Sequence, residues 1–148
     1  MSKAAEVPFA TTPFVRDTCL CLHLQRAARA LARRFDDALR PLGLTSGQYS
    51  LMMSLNRPEP PTIGSVAALL AMDRTTLTAA LKPLQRRRLI TVMVDANDRR
   101  SRRLKLTPAG RALLARAFPV WRRTHAEIDR LLPGTGPDRL RRDLIALT

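Results

Sequence analysis

The sequence predicts a mainly α-helical protein of the α+β winged-helix class: a winged helix-turn-helix with long N- and C-terminal dimerisation helices and a two-stranded β-wing. Three observations support this prediction. Residues 62–70 and 73–86 each place apolar side chains at helical spacing, with a short turn between them. Residues 89–94 and 103–106 have strand character. Both ends of the chain carry helical patterns longer than a small winged domain needs.

Composition indicates a polyanionic partner. The 148 residues include 26 Lys and Arg against 12 Asp and Glu, so the formal net charge is +14. This charge favours nucleic acid, with a membrane surface as the second candidate. No apolar run approaches the roughly 18–20 residues that span a bilayer, and no signal-peptide core is present, so we expect a cytoplasmic protein without a membrane partner. The aromatic content of 4% argues against single-strand stacking and leaves double-stranded DNA.

The sequence lacks the residue patterns of an active site. It contains no Gly-rich phosphate loop, no paired carboxylates and no nucleophile with an adjacent base, and it has only two histidines. His23 has no cluster of metal-ligating residues around it, so a half-buried polar role is favoured over metal binding. We therefore expect no enzymatic activity, no cofactor and no metal.

Long helices are predicted at both ends. Apolar residues step by three and four from residue 15 to residue 40, which predicts one continuous amphipathic helix. Thr107 and Pro108 mark the start of a second long helix, and Asp138 is expected to cap a last one. These apolar stripes exceed what a winged core covers, so we predict a homodimer. The chain then divides into a mobile arm, 1–14, a helical dimerisation region, 15–44 and 108–148, and a winged helix-turn-helix DNA-binding domain, 45–107.

The helix capped by Asp73 is expected to be the recognition helix. Asp73 is a good N-cap, and Leu77, Leu81 and Leu84 give the helix one apolar side. The opposite side is short, polar and basic, which suits a major groove, and Pro83 is expected to bend the helix. The candidate DNA-contacting residues of this helix are Thr75, Thr76, Thr78, Lys82 and Arg86.

The hairpin that follows has a cationic tip. Residues 95–98 supply turn chemistry, and the loop and its arms hold five cations against two aspartates. A wing of this kind beside a groove-sized helix reaches the minor groove or the backbone. The alternative is that the arginines only solubilise a surface hairpin, but their clustering favours DNA binding. The five cations are Arg99, Arg100, Arg102, Arg103 and Lys105, of which Arg99, Arg100 and Arg102 are the candidate DNA contacts.

These segments resemble the DNA-binding core of the MarR family of bacterial transcriptional regulators. The family's aspartate-capped recognition helix, Asp-Arg-Arg wing and Leu-x-Leu-Thr-x-x-Gly helix start match residues 73–78, 98–100 and 104–110. The resemblance covers roughly residues 16–132. It implies the same dimeric arrangement, and it implies that Asp73 pairs with a wing arginine, Arg99 or Arg100. The residues assigned to wing anchoring are Asp73 and Asp98.

Two cysteines, Cys19 and Cys21, lie near the start of the predicted N-terminal helix. Two positions apart on a helix, they point roughly 200° apart and cannot bridge each other while the helix is intact. Each is either a small buried hydrophobe or a redox sensor. The redox-sensor hypothesis follows from the resemblance, because some MarR-like proteins carry a reactive cysteine in this helix. Oxidation of such a cysteine would link subunits or tilt the helix.

A possible effector site follows the capping box of residues 45–48, which begins a helix bearing Tyr49, Met52 and Met53. These side chains are either ordinary core or, because thioethers adapt to varied apolar guests, the lining of a ligand pocket. The resemblance implies a small aromatic or phenolic effector, without identifying one.

The functional expectation is a dimeric transcriptional regulator that binds a pseudo-palindromic duplex and, by resemblance, represses. A ligand or cysteine oxidation would modulate binding by favouring a dimer whose recognition helices are wrongly spaced. The alternative is a sequence-tolerant architectural DNA-binding protein that uses its charge rather than its threonines.

Overall fold

The computed structural model describes residues 5–148 of the chain. Within these residues, seven helices, a 3₁₀ turn and two strands follow one another in the order of a winged helix with helical extensions. Their bounds are α1 Thr11–Thr18, α2 Leu20–Leu39, the 3₁₀ turn Arg40–Leu42, α3 Ser46–Ser54, α4 Ile63–Leu69, α5 Arg74–Arg86, β1 Ile90–Val94, β2 Arg102–Leu106, α6 Pro108–Asp129 and α7 Gly136–Ala146.

The hydrophobic core lies behind α5, between α3, α4, the two strands and the first half of α6. Its fully buried members include Met52, Leu77, Leu84 and Leu104. The strands pair antiparallel. The first residue of β1, Ile90, lies opposite the last residue of β2, Leu106. This arrangement confirms the predicted mainly α fold with a two-stranded wing.

The starts of α3, α4, α5 and α6 were predicted correctly from local capping signals. Thr45 and Gln48 form the complete capping box of α3, and the side chains of Thr62, Asp73 and Thr107 each accept an N–H from the third residue beyond. Such bonds satisfy amides that have no partner inside the helix, which is why these residue types mark helix starts.

The predicted single helix over residues 15–40 is wrong. Cys19 is extended (φ −70°, ψ 106°), so the segment is two helices, α1 and α2, and α1 begins within the predicted arm of residues 1–14. The Cys19 sulfur accepts the N–H of Leu22, which starts α2 anew. Periodicity did not reveal this break because one extended residue barely disturbs the apolar repeat. Residues 1–4 of the arm lie outside the described residues.

The start of the last helix also differs from prediction. Thr135, without a side-chain bond, is the N-cap of α7, and Asp138 lies in its first turn, where it accepts a bond from Arg141. The same arginine bonds both carboxylate oxygens of Asp129, the last residue of α6, at 2.6 and 2.8 Å. This contact holds α7 against the end of α6.

The terminal helices bury little of their own surface. Neither α1 nor α7 has a buried residue, and α2 has one, Leu39. Large apolar side chains such as Phe14, Leu20 and Ile145 are 65%, 67% and 72% exposed. Within residues 5–148, no helix combines the length and apolar character needed to cross a membrane.

Candidate nucleic-acid interface

The helix-turn-helix pair consists of α4 and α5. Ala71 stands in the turn between them with a left-handed backbone (φ 51°), and the Met72 N–H bonds the Ala67 carbonyl. Leu77, on the inner side of α5, is fully buried. This packing fixes which side of α5 faces outward.

The exposed face of α5 is the one that the sequence predicts. Thr75, Lys82 and Arg86 are all exposed, and Pro83 lies inside the helix, which continues to Arg86. Ala79, also exposed, stands among them. The face therefore offers one hydroxyl, one methyl and two cations along a length of about three turns.

The other two threonines hold their hydroxyl groups within the helix. The Thr76 hydroxyl donates to Asp73 Oδ2 at 2.8 Å, and the Thr78 hydroxyl donates to the Arg74 carbonyl at 2.7 Å. Both side chains remain exposed beside the outer face.

The implied pairing of Asp73 with a wing arginine is not present among the described residues, so this prediction is wrong. Both carboxylate oxygens are used within the cap, because Oδ1 accepts the Thr76 N–H at 2.7 Å and Oδ2 accepts its hydroxyl. Both bonds lower the pKa of Asp73, and the bond from the Thr76 N–H is the larger cause. Asp73 therefore shapes α5 and does not tie it to the wing.

The wing tip is formed by a tight turn around Asp98. Its carboxylate accepts the Arg100 N–H at 3.0 Å, so Asp98 fixes the loop and not the position of the wing against α5. Arg102, a predicted DNA contact, turns back to donate to the carbonyls of Arg99 and Ser101. Arg99 and Arg100 are exposed and have no ion pair within residues 5–148.

Arg103 anchors the wing instead. Its guanidinium lies 3.1 Å from Asp95 Oδ2 and donates to the Pro60 carbonyl at 2.7 Å, while Leu104 N–H bonds the Pro61 carbonyl. Hydrogen bonds from the Asn97 N–H, which is the larger cause, and from Arg103 lower the pKa of Asp95. Arg103, predicted to be one of the exposed cations of the hairpin, is half-buried. Its partner Pro60 lies 43 residues away, so no local signal identified this contact.

Two further arginines near α5 were missed. Arg87 donates to the Gly43 carbonyl at 2.6 Å and so links the end of α5 to the turn after α2. The Arg74 guanidinium lies over Gly64, where an added Cβ would be 3.0 Å from it. Gln85, exposed on the same side of α5 as Thr78, was also not among the predicted DNA contacts. Its long polar side chain on this side of the helix was the signal that could have identified it.

The cysteines are both free and neither is fully buried. Cys19 is the half-buried N-cap of α2, and Cys21 is exposed with its sulfur 3.4 Å from the Gln25 amide nitrogen. The buried-hydrophobe interpretation is therefore wrong for Cys21 in the protomer. His23 is exposed, not half-buried, and its Nδ1 lies 2.8 Å from the Cys19 carbonyl. Residues 5–148 contain no group of three potential metal ligands.

An open cleft of about 540 Å³ lies between α3 and α6. Tyr49 and Trp121 line it with nearly parallel rings, 6.0 Å between centroids, and Met53, Arg57 and Phe118 complete the principal walls. The predicted stripe divides between core and cleft: Met52 is fully buried in the core, Met53 lines the cleft, and Tyr49, 4% exposed, belongs to the core and also lines the cleft.

A basic, outward-facing helix follows a helix and a turn, and a cationic two-stranded wing lies beside it. This arrangement defines a winged helix-turn-helix DNA-binding transcriptional regulator. The sequence profile described as the MarR family matches residues 44–101. The chain belongs to the MarR family, whose members bind DNA to regulate transcription and are not enzymes.

Individual relatives support the same assignment. The organic hydroperoxide resistance transcriptional regulator of Bacillus subtilis strain 168 is 30% identical over 101 residues, covering 68% of this chain and 69% of the relative. The MosR regulator of M. tuberculosis, solved in complex with DNA, is 40% identical, has a TM-score of 0.79, and covers 87% of this chain and 92% of its own. The repressor CouR, bound to a 23-mer duplex, is 28% identical, with a TM-score of 0.80 and coverage of 97% and 99%.

Proposed function

We propose that the protein acts as a homodimeric repressor that binds a pseudo-palindromic duplex. Each protomer places α5 in a major groove and its wing at the flanking minor groove. The observation that carries this proposal is the exposure of Lys82 and Arg86 on α5 and of Arg99 and Arg100 on the wing, whose strand β1 packs against α5. Related MosR and CouR proteins have been solved on DNA, which supports duplex binding by this fold.

The homodimer rests on the terminal helices. Leu20 and Leu24 of α2 and Leu140 and Ile145 of α7 are 67%, 36%, 43% and 72% exposed in the protomer. An apolar surface of this extent on an isolated protomer marks an interaction site, and a second copy of the same helices covers it with two-fold symmetry. That symmetry sets the spacing of the two half-sites.

Competition between duplexes tests sequence-specific regulation against the architectural alternative. Excess random duplex should displace the protein from a selected operator far less well than the operator does. Arg100→Ala should weaken binding to every duplex and reduce its salt dependence, because a phosphate contact is lost. Changes at Thr76 or Thr78 should instead alter sequence preference. Equal displacement by both duplexes would favour the architectural function.

The cleft beside Trp121 supports a small aromatic effector. Because Trp121 is the single tryptophan, its fluorescence reports directly on an occupant. Titration with 4-hydroxybenzoate as the probe should quench this emission and weaken operator binding in parallel. Phe118→Ala, which opens one wall, should reduce both effects. An unchanged emission spectrum together with unchanged DNA affinity would remove a phenolic acid of this class as effector.

Oxidation of Cys19 or Cys21 is the second mode of regulation. A hydroperoxide converts a thiolate to a sulfenic acid and is itself reduced to an alcohol. Cys19 caps α2, so this change would disturb the start of a dimerisation helix. Cumene hydroperoxide should release wild-type protein from DNA and leave a variant with serine at both positions bound. Release of both proteins would contradict thiol regulation.

A further inference from the structure

The threonines of α5 do not offer the same chemistry to DNA. A carbonyl or an ionised carboxylate can only accept hydrogen bonds, so the hydroxyl protons of Thr76 and Thr78 are committed to Asp73 and the Arg74 carbonyl. Thr75 has no side-chain hydrogen bond within residues 5–148. Thr75 is therefore the threonine whose hydroxyl proton is available for donation to DNA.

Because the hydroxyl of Thr78 points back along the helix, its methyl group is the part of the side chain that can contact a duplex. Ala79 follows it on the outer face and carries only a methyl group. Thr75 lies one turn before Ala79, and Lys82 lies just under one turn after it. The middle of the face is thus apolar, and groups that donate hydrogen bonds lie on either side of it.

We infer that the methyl groups of Thr78 and Ala79 recognise the 5-methyl group of one thymine in each half-site. In the major groove this methyl group distinguishes thymine from the other bases, and small apolar side chains contact it. Thr75 and Lys82 then contact acceptors on either side of that base pair. This inference rests on the proposed function, because it requires α5 to lie in the major groove.

Replacing single thymines of a selected operator with deoxyuridine tests the inference, since only the methyl group is removed. We expect one thymine in each half-site at which replacement weakens wild-type binding about three- to fivefold, as expected for one buried methyl group. Replacement at the other thymines should have a smaller effect. A selected operator whose affinity is unchanged at every thymine would overturn the inference alone, whereas the absence of any preferred duplex would overturn the proposed function as well.

Two variants of one residue separate the methyl group from the hydroxyl. Thr78→Val keeps a methyl group and removes the hydroxyl, so it should remain sensitive to deoxyuridine. Thr78→Ser keeps the hydroxyl and removes the methyl group, so its sensitivity should fall. The reverse pattern, with Ser sensitive and Val insensitive, would show that the hydroxyl makes the contact. Circular dichroism melting of both proteins checks that α5 is folded.

Discussion

The winged helix-turn-helix and the terminal helices differ in how they cover their apolar side chains. The buried core runs from Leu39 to Ala117, and neither α1 nor α7 contributes to it. The terminal helices instead expose leucines, isoleucine and phenylalanine on the protomer surface. The core of the winged domain is therefore covered within one chain, whereas the terminal helices leave large apolar side chains exposed. In the proposed homodimer, this division would let changes at the interface move α5 without unfolding the domain that carries it.

Removing a core side chain should have the largest effect on this comparison. Leu77→Ala deletes a fully buried side chain and should lower the free energy of unfolding by about 3 kcal/mol. The matched change Leu20→Ala removes a side chain that is 67% exposed. In the monomer it should cost under about 0.5 kcal/mol, but it should raise the concentration at which protomers separate. Denaturant titration and sedimentation measure the two effects, and equal losses of stability would contradict the division.

Loosening the wing should have the next largest effect. Arg103→Ala removes the contacts to Asp95 and to the Pro60 carbonyl, so the wing should lose its position and DNA affinity should fall roughly tenfold. Arg103→Lys keeps the charge without the guanidinium fork and should recover only part of the loss. Hydrogen exchange of β1 and β2 should rise in both variants. Full recovery by lysine would indicate that only charge matters.

Acidification should weaken the Asp73 cap. The pKa of this carboxyl lies below its ordinary value of 3.8, so its stabilising effect is complete above that pH and is lost as the pH falls through the folded-state pKa. Melting temperatures between about pH 2 and pH 5 should therefore fall more steeply for wild type than for Asp73→Asn, which keeps a capping oxygen that does not titrate. Parallel curves would show that the charge of the cap is unimportant.

The smallest expected effect concerns the turn before α5. Ala71 has a φ of 51°, a region where glycine lacks the steric penalty of a side chain. Ala71→Gly should stabilise the domain by about 0.5–1 kcal/mol. The same change at exposed Ala68, inside α4, should destabilise it by a similar amount. Destabilisation by both changes would show that the left-handed conformation is not costly.

The sequence was sufficient where structure depends on neighbours along the chain. Caps at Thr45 and Thr107 and the inward leucines of α5 were correct because each signal spans only a few residues. The sequence was insufficient where side chains meet across the fold. Arg103 donates a hydrogen bond to the connector before α4, and Arg87 donates one to Gly43, 44 residues away. Contacts between residues so far apart leave no recognisable pattern in the sequence. The break at Cys19 was missed because neither proline nor glycine marks it.

Native mass spectrometry of the full chain with its selected duplex counts directly how many protomers share one DNA molecule. We expect two protomers on one two-fold symmetric duplex, and loss of both when one half-site is scrambled, because in the proposed homodimer the exposed terminal helices hold the two copies together. One bound protomer, or equal binding to the scrambled duplex, would contradict recognition by a paired set of α5 helices and wings.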